Sequence, residues 1–113
     1  MAPNHADPVE RQVEAYNRRD IDAFLSCYAT DTVIEDAIGT AVMRGHDAMR
    51  ATYSELFQAS PDLRAEIATR IGGGEYLIDE ERITGLRGSD EEIRVVAIYH
   101  VANDVIDRVR LIR

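Results

Sequence analysis

The order of hydrophobic and polar positions changes period twice along this chain. Val9, Val13 and Tyr16 recur at helical spacing, and Asp7-Pro8 supplies an N-cap and a first-turn proline, so a helix is predicted from there. The polar run 17–20 interrupts the stripe. Asp20 can cap a second helix carrying Ile21, Phe24, Leu25 and Tyr28 on one side. Residues 32–36 are rich in β-branched side chains and read as a short strand that ends at Asp36. Gly39-Thr40 turns the chain, Val42-Met43 returns it, and a third helix over about 47–59 presents Met49, Tyr53, Leu56 and Phe57. Ser60-Pro61-Asp62 stops that helix.

From Leu63 the period becomes two. Leu63, Ala65, Ile67, Thr69 and Ile71 alternate with mostly polar neighbours, which gives a strand with one wet face. Gly72-Gly73-Gly74 then turns into a hairpin partner over 75–86, with a loop over 85–90. The segment 93–102 is apolar on both faces, Asn103-Asp104 is a two-residue turn signal, and 105–112 closes the sheet. Three helices followed by a four-stranded meander predict an α+β domain, with the helices on one face of a curved antiparallel sheet. The strand with two apolar faces needs a cover on its outer side. A second copy of the chain would supply it, through the face carrying Val96, Ile98 and His100.

Composition narrows the class. At 113 residues, 45% apolar and 30% charged, the sequence fits one globular domain, with residues 1–6 as a loose tail. Thirteen basic against twenty-one acidic residues give a net charge of -8, which disfavours nucleic acid and anionic membranes as partners. Arg108, Arg110 and Arg113 are read as lying on one face of the last strand and are expected to pair with the acidic excess or to be solvated. Neither a membrane span nor a secretory leader is apparent, and the lone Cys27 reads as a small buried filler in the second helix, so a cytoplasmic protein is expected. Three histidines without ligand spacing argue against a metal site; His46 reads as a helix N-cap, with a general base as the alternative, His100 as facing away from Tyr99, and His5 as lying in the tail.

Asp36 is the first candidate for chemistry. A carboxylate at a strand end, beside a turn and between two apolar helices, can sit at the mouth of a pocket. It can equally be a turn residue whose carboxylate accepts from nearby backbone N–H groups. Val13, Met43, Met49, Phe57, Val95 and Ala97 could wall an apolar cavity around it. Of the run Asp79-Glu80-Glu81, alternation sends Glu80 opposite to its neighbours; one of these carboxylates could reach the pocket, and solvated charges are the plainer reading.

The motifs A-Y-N-R-R-D-I-D-A-F, C-Y-A-T-D-T-V-I-E-D-A-I-G, R-G-H-D-A-M-R-A-T-Y and V-V-A-I-Y-H-V-A-N-D-V-I-D-R-V resemble the nuclear-transport-factor-2-like superfamily. The similarity runs from about Val9 to Leu111 and is nearest to the SnoaL-like and ketosteroid isomerase-like members. That resemblance implies a cone-shaped sheet around a pocket covered by three helices. It also implies cofactor-independent acid–base chemistry, such as proton transfer, isomerisation or cyclisation, on a small apolar carbonyl or polyketide-like ligand. The scaffold equally hosts non-catalytic binding or dimerisation modules. Asp36 falls where the isomerases keep the proton-shuttling Asp, and Tyr53 where they keep a pocket tyrosine. Gln12 stands in place of their first-helix oxyanion donor, and Tyr99 in place of their strand carboxylic acid. Tyr16, one turn after Gln12, shares its helix face, so Tyr16 and Tyr99 become the candidate oxyanion donors. Such acid–base chemistry needs a base, a donor and a dry cavity, so no metal or organic cofactor is expected.

Overall fold

The computed structural model describes residues 6–113, so the segment before them, with His5, lies outside the described residues. Three helices come first or between early strands: α1 (Ala6–Arg18), α2 (Ile21–Ser26) and α3 (Gly45–Ala59). Six strands follow the chain as β1 (Tyr28–Glu35), β2 (Ala41–Arg44), β3 (Arg64–Gly73), β4 (Tyr76–Thr84), β5 (Ile93–Ala102) and β6 (Val105–Ile112). They form one curved, unclosed sheet in the order β2-β1-β6-β5-β4-β3. The α+β class and the antiparallel meander of the last four strands stand. The two short early segments also join the sheet, and among the described residues β1 runs parallel to β6 while the other strand pairs are antiparallel. Tyr28 accordingly opens β1 rather than closing α2.

Local chemistry explains the boundaries. Asp20 caps α2, its carboxylate accepting from the Ala23 N–H at 3.1 Å. The polar run before it does more than break a helix. The Asn17 amide accepts from Ala65 N–H at 2.7 Å and donates to Ala65 C=O at 3.0 Å, so one side chain imitates a strand neighbour for β3. Asn103 and Asp104 both adopt positive φ, 54° and 64°, as a tight hairpin of the primed type requires between β5 and β6. Gly85, at φ 74°, sits so close to the Asp62 carbonyl that a Cβ there would overlap it.

The core lies between the helices and the inner face of the sheet. Val9, Phe24, Leu25 and Met49 from the helices pack on Ile34, Ala97, Val101, Ile106 and Val109 from the strands. Alternation along β5 buries Val95, Ala97, Tyr99 and Val101 and leaves Val96, Ile98 and His100 half-buried on the outer face. His100 points away from Tyr99, its ring bonded to Asp107 at 2.6 Å and Glu75 at 2.8 Å. The last-strand arginines divide. Arg108 and Arg110 flank Glu35 on the outer face at 3.9 and 3.7 Å, whereas Arg113, at odd spacing from them, lines the inner cavity. His46 lies inside the first turn of α3 rather than at its N-cap, which is Arg44, and its Nε2 meets the Tyr28 carbonyl at 2.9 Å, tying α3 to β1. Cys27 is buried at the end of α2. No helix among the described residues is long and apolar enough to cross a membrane.

Candidate functional site

The helices and the inner sheet face enclose a cavity of about 650 Å³. Its position follows from the alternation just described, since each inner-facing strand residue that is not filled by a helix side chain borders open space. Of the residues expected to form a site, Gln12, Val13 and Tyr16 reach it from α1, and Tyr53 from α3. Met43 of β2, Val95 and Tyr99 of β5, and Asp36 in the turn after β1 complete the convergence. Met49, Phe57 and Ala97 do not line it. Met49 and Ala97 are fully buried in the core, and Phe57 stands behind the wall, edge-on to Tyr16 with ring centres 5.5 Å apart. Helix packing, which the apolar stripe alone cannot orient, places Met49 and Phe57 of α3 one layer too deep, and Ala97 of β5 is covered by the core.

Asp36 serves the turn and borders the cavity at once. Its Oδ1 accepts from the N–H groups of Ile38 and Thr40, each at 3.0 Å, and its own N–H donates to Thr40 C=O at 2.9 Å. The carboxylate is half-buried at the rim, and Glu35 beside it turns to the opposite face of the sheet, towards Arg108 and Arg110. Both readings of Asp36 therefore describe the same residue.

The tyrosines differ in what their hydroxyls can do. Among the described residues, the hydroxyls of Tyr16 and Tyr53 have no protein hydrogen-bond partner. Burial raises both, Tyr53 to about 12, so each stays a neutral donor at physiological pH. Tyr99 is engaged on both sides. It accepts from Gln12 Nε2 at 3.0 Å and donates to Glu81 Oε2 at 3.3 Å. Gln12 Oε1 in turn accepts from the Tyr28 hydroxyl at 2.9 Å. The chain Tyr28, Gln12, Tyr99, Glu81 thus runs in one donor direction and ends on a carboxylate.

Glu81 is the residue that sequence reading passed over in favour of a solvated charge. It lies on β4 in the inner-facing series Leu77, Asp79, Glu81 and Ile83, is only 8% exposed and lines the cavity. Burial, reinforced by the charge of Asp79, pushes its carboxyl up to about 7, against the opposing pull of the Tyr99 hydrogen bond and of Arg70. Asp79 is fully buried and clamped by Arg70 at 2.7 and 2.9 Å, with Arg70 also reaching Glu10 at 2.9 Å. The cavity is therefore bordered by Asp36 and Glu35 at its rim and holds Glu81 in its floor. Among the described residues no cluster of three or more potential metal-ligating side chains occurs.

Known structures share this architecture. An uncharacterized cystatin-fold protein from Novosphingobium aromaticivorans superposes with a TM-score of 0.89 at 26% identity, over 99% of this chain and 100% of that one. A candidate polyketide cyclase from Sinorhizobium meliloti gives 0.79 at 21% identity, over 93% of both chains. A candidate ketosteroid isomerase from Kribbella flavida gives 0.81 at 16% identity, over 96% of this chain and 76% of that one. No curated protein sequence matches the chain. The family model of the SnoaL-like domain matches residues 9–109, nearly the whole length, and by that match the chain belongs to the SnoaL-like domain family.

Proposed function

We propose that the cavity is the site of a cofactor-independent acid–base enzyme, isomerase- or cyclase-like, acting on a small apolar carbonyl or polyketide-like compound. The observation that carries this reading is the convergence of Asp36, Tyr16 and Tyr99, from three separate elements, on one largely apolar space of about 650 Å³. Proton abstraction beside a carbonyl needs a base near the carbon and a donor near the oxygen, in a cavity that excludes water. Asp36 is the base in this reading: with Oδ1 held by the turn, Oδ2 takes the proton. Tyr16 is the better-placed oxyanion donor of the pair, because its hydroxyl is uncommitted while that of Tyr99 already serves Glu81. Gln12, Val13, Met43, Tyr53 and Val95 hold the ligand. The polyketide cyclase and ketosteroid isomerase descriptions of structural neighbours favour this chemistry.

Screening enones, polyketide-like ketones and epoxides tests the reading. Turnover on a hit should fall by ~10²–10⁴ in Asp36→Asn, which keeps the shape and removes the base. Unchanged turnover in a folded variant would remove Asp36 from the chemistry. A second reading, a small-ligand-binding or dimerisation module, is favoured by the use of Asp36 Oδ1 in holding its turn. Absence of turnover by the wild type on every class would turn the choice to it.

A further inference from the structure

We infer that Glu81 is a second proton-transfer group of this cavity, held in place by the Tyr99–Gln12–Tyr28 chain, for ligands with an acidic C–H at the end buried against the sheet. The inference rests on the cavity being a ligand site, but not on Asp36 being its base. Three features of Glu81 carry it. Its side chain lines the cavity although the residue is 8% exposed. One oxygen, Oε2, is fixed by Tyr99, which is fixed by Gln12, which is fixed by Tyr28, three hydrogen bonds of 3.3, 3.0 and 2.9 Å that orient one carboxyl. The other oxygen, Oε1, has no protein donor among the described residues. A carboxylate built only for packing strength would be paired as Asp79 is, two residues earlier on the same face. Arg70 takes both oxygens of Asp79, and Glu81 has no ion pair among the described residues.

The surroundings keep this group ready to exchange a proton. Asp79 on its own strand and the hydroxyls of Tyr16, Tyr28, Tyr53 and Tyr99, from α1, β1, α3 and β5, face it; Arg70 on β3 opposes them. The four phenols are all raised and stay neutral, so Glu81 is the cavity-floor group that titrates near neutrality. Both its forms are populated there, which suits a group that takes a proton in one step and returns it in the next. Tyr99, Gln12 and Tyr28 are positioning residues in this scheme.

The probe is 5-nitrobenzisoxazole, an apolar bicycle with one acidic ring C–H. When a base takes that proton, the C–H electrons form a nitrile, the N–O bond breaks, and a coloured phenolate is released. The wild type should open it faster than an equal concentration of free propionate, with a rate that rises through a midpoint near 7. Glu81→Gln should lose ~10²-fold of that rate, while Glu66→Gln, on the exposed face of β3 and away from the cavity, keeps both the rate and the midpoint. A rate unchanged in Glu81→Gln, or a wild type no better than propionate, would overturn the inference. Loss in Asp36→Asn alone would also overturn it, and would leave the proposed function standing.

A second measurement needs no ligand and does not depend on Glu81→Gln folding. The ¹³C carboxyl resonance of Glu81 should titrate near 7 in the wild type and higher in Tyr99→Phe, because the donor to the ionised form is gone. An unmoved midpoint would deny the chain its positioning role.

Discussion

At the scale of single residues, Glu81 carries a cost to folding that its pKa makes measurable. Its carboxyl titrates near the ordinary 4.5 when unfolded and near 7 when folded. Between those values the folded state binds more protons than the unfolded one, so stability falls as pH rises through that window, by ~3 kcal/mol in all. His100, raised first by its bond to Asp107, gives a loss of the same sign, so the comparison that isolates Glu81 is with its amide. Urea unfolding at pH 5 and pH 8 should show Glu81→Gln losing less stability than the wild type across that interval. Equal losses would mean that Glu81 is not titrating in the folded cavity. Asp36 was legible in the sequence because a strand end, a turn and two apolar helices bracket it. Glu81 was not, because three consecutive acidic residues look solvated whichever way they point. The available signal was the spacing Leu77, Asp79, Glu81, Ile83, which puts two carboxylates on an apolar face.

Between elements, the meander was readable and its partners were not. The observed limits of β5 coincide with the expected 93–102, and β6 ends at Ile112 as expected, since Asn103-Asp104 fixes the hairpin between them. β1 begins at Tyr28, four residues before the β-branched run at 32–36, because Tyr28 pairs in parallel with Ile106, far along the chain. No local propensity encodes such a partner. The same limit hid the Arg70–Asp79 pair, which exists only through the β3–β4 register set by the hairpin. Arg70→Met leaves a fully buried carboxylate without its cation and should cost ~3–5 kcal/mol in urea unfolding. Replacing both partners by apolar residues should recover much of that. A loss below ~1 kcal/mol would class the pair with ordinary surface bridges.

For the whole molecule, the outer face of the sheet decides how copies of the chain meet. The inner face is covered by helices; the outer face carries half-buried Val96 and Ile98, together with Tyr76, which is 50% exposed and lies against the His100 ring at 4.9 Å. Beside them Glu35 Oε1 is buried without a hydrogen bond, its nearest cations, Arg110 and Arg108, standing off at 3.7 and 3.9 Å. An apolar centre bordered by a carboxylate and two guanidinium groups is self-complementary under a two-fold axis, because an arginine of one copy can meet the carboxylate of the other. We therefore predict a homodimer through this face. Two copies of net charge -8 repel at long range, so dimerisation should strengthen as salt shortens the Debye length from about 30 Å at 0.01 M to about 8 Å at 0.15 M. Ile98→Lys should weaken it, because association would bury an unpaired charge at the centre of the patch. Sedimentation at micromolar concentration decides the matter. A monomeric wild type, or an Ile98→Lys variant that dimerises as well as the parent, would assign the face to solvent.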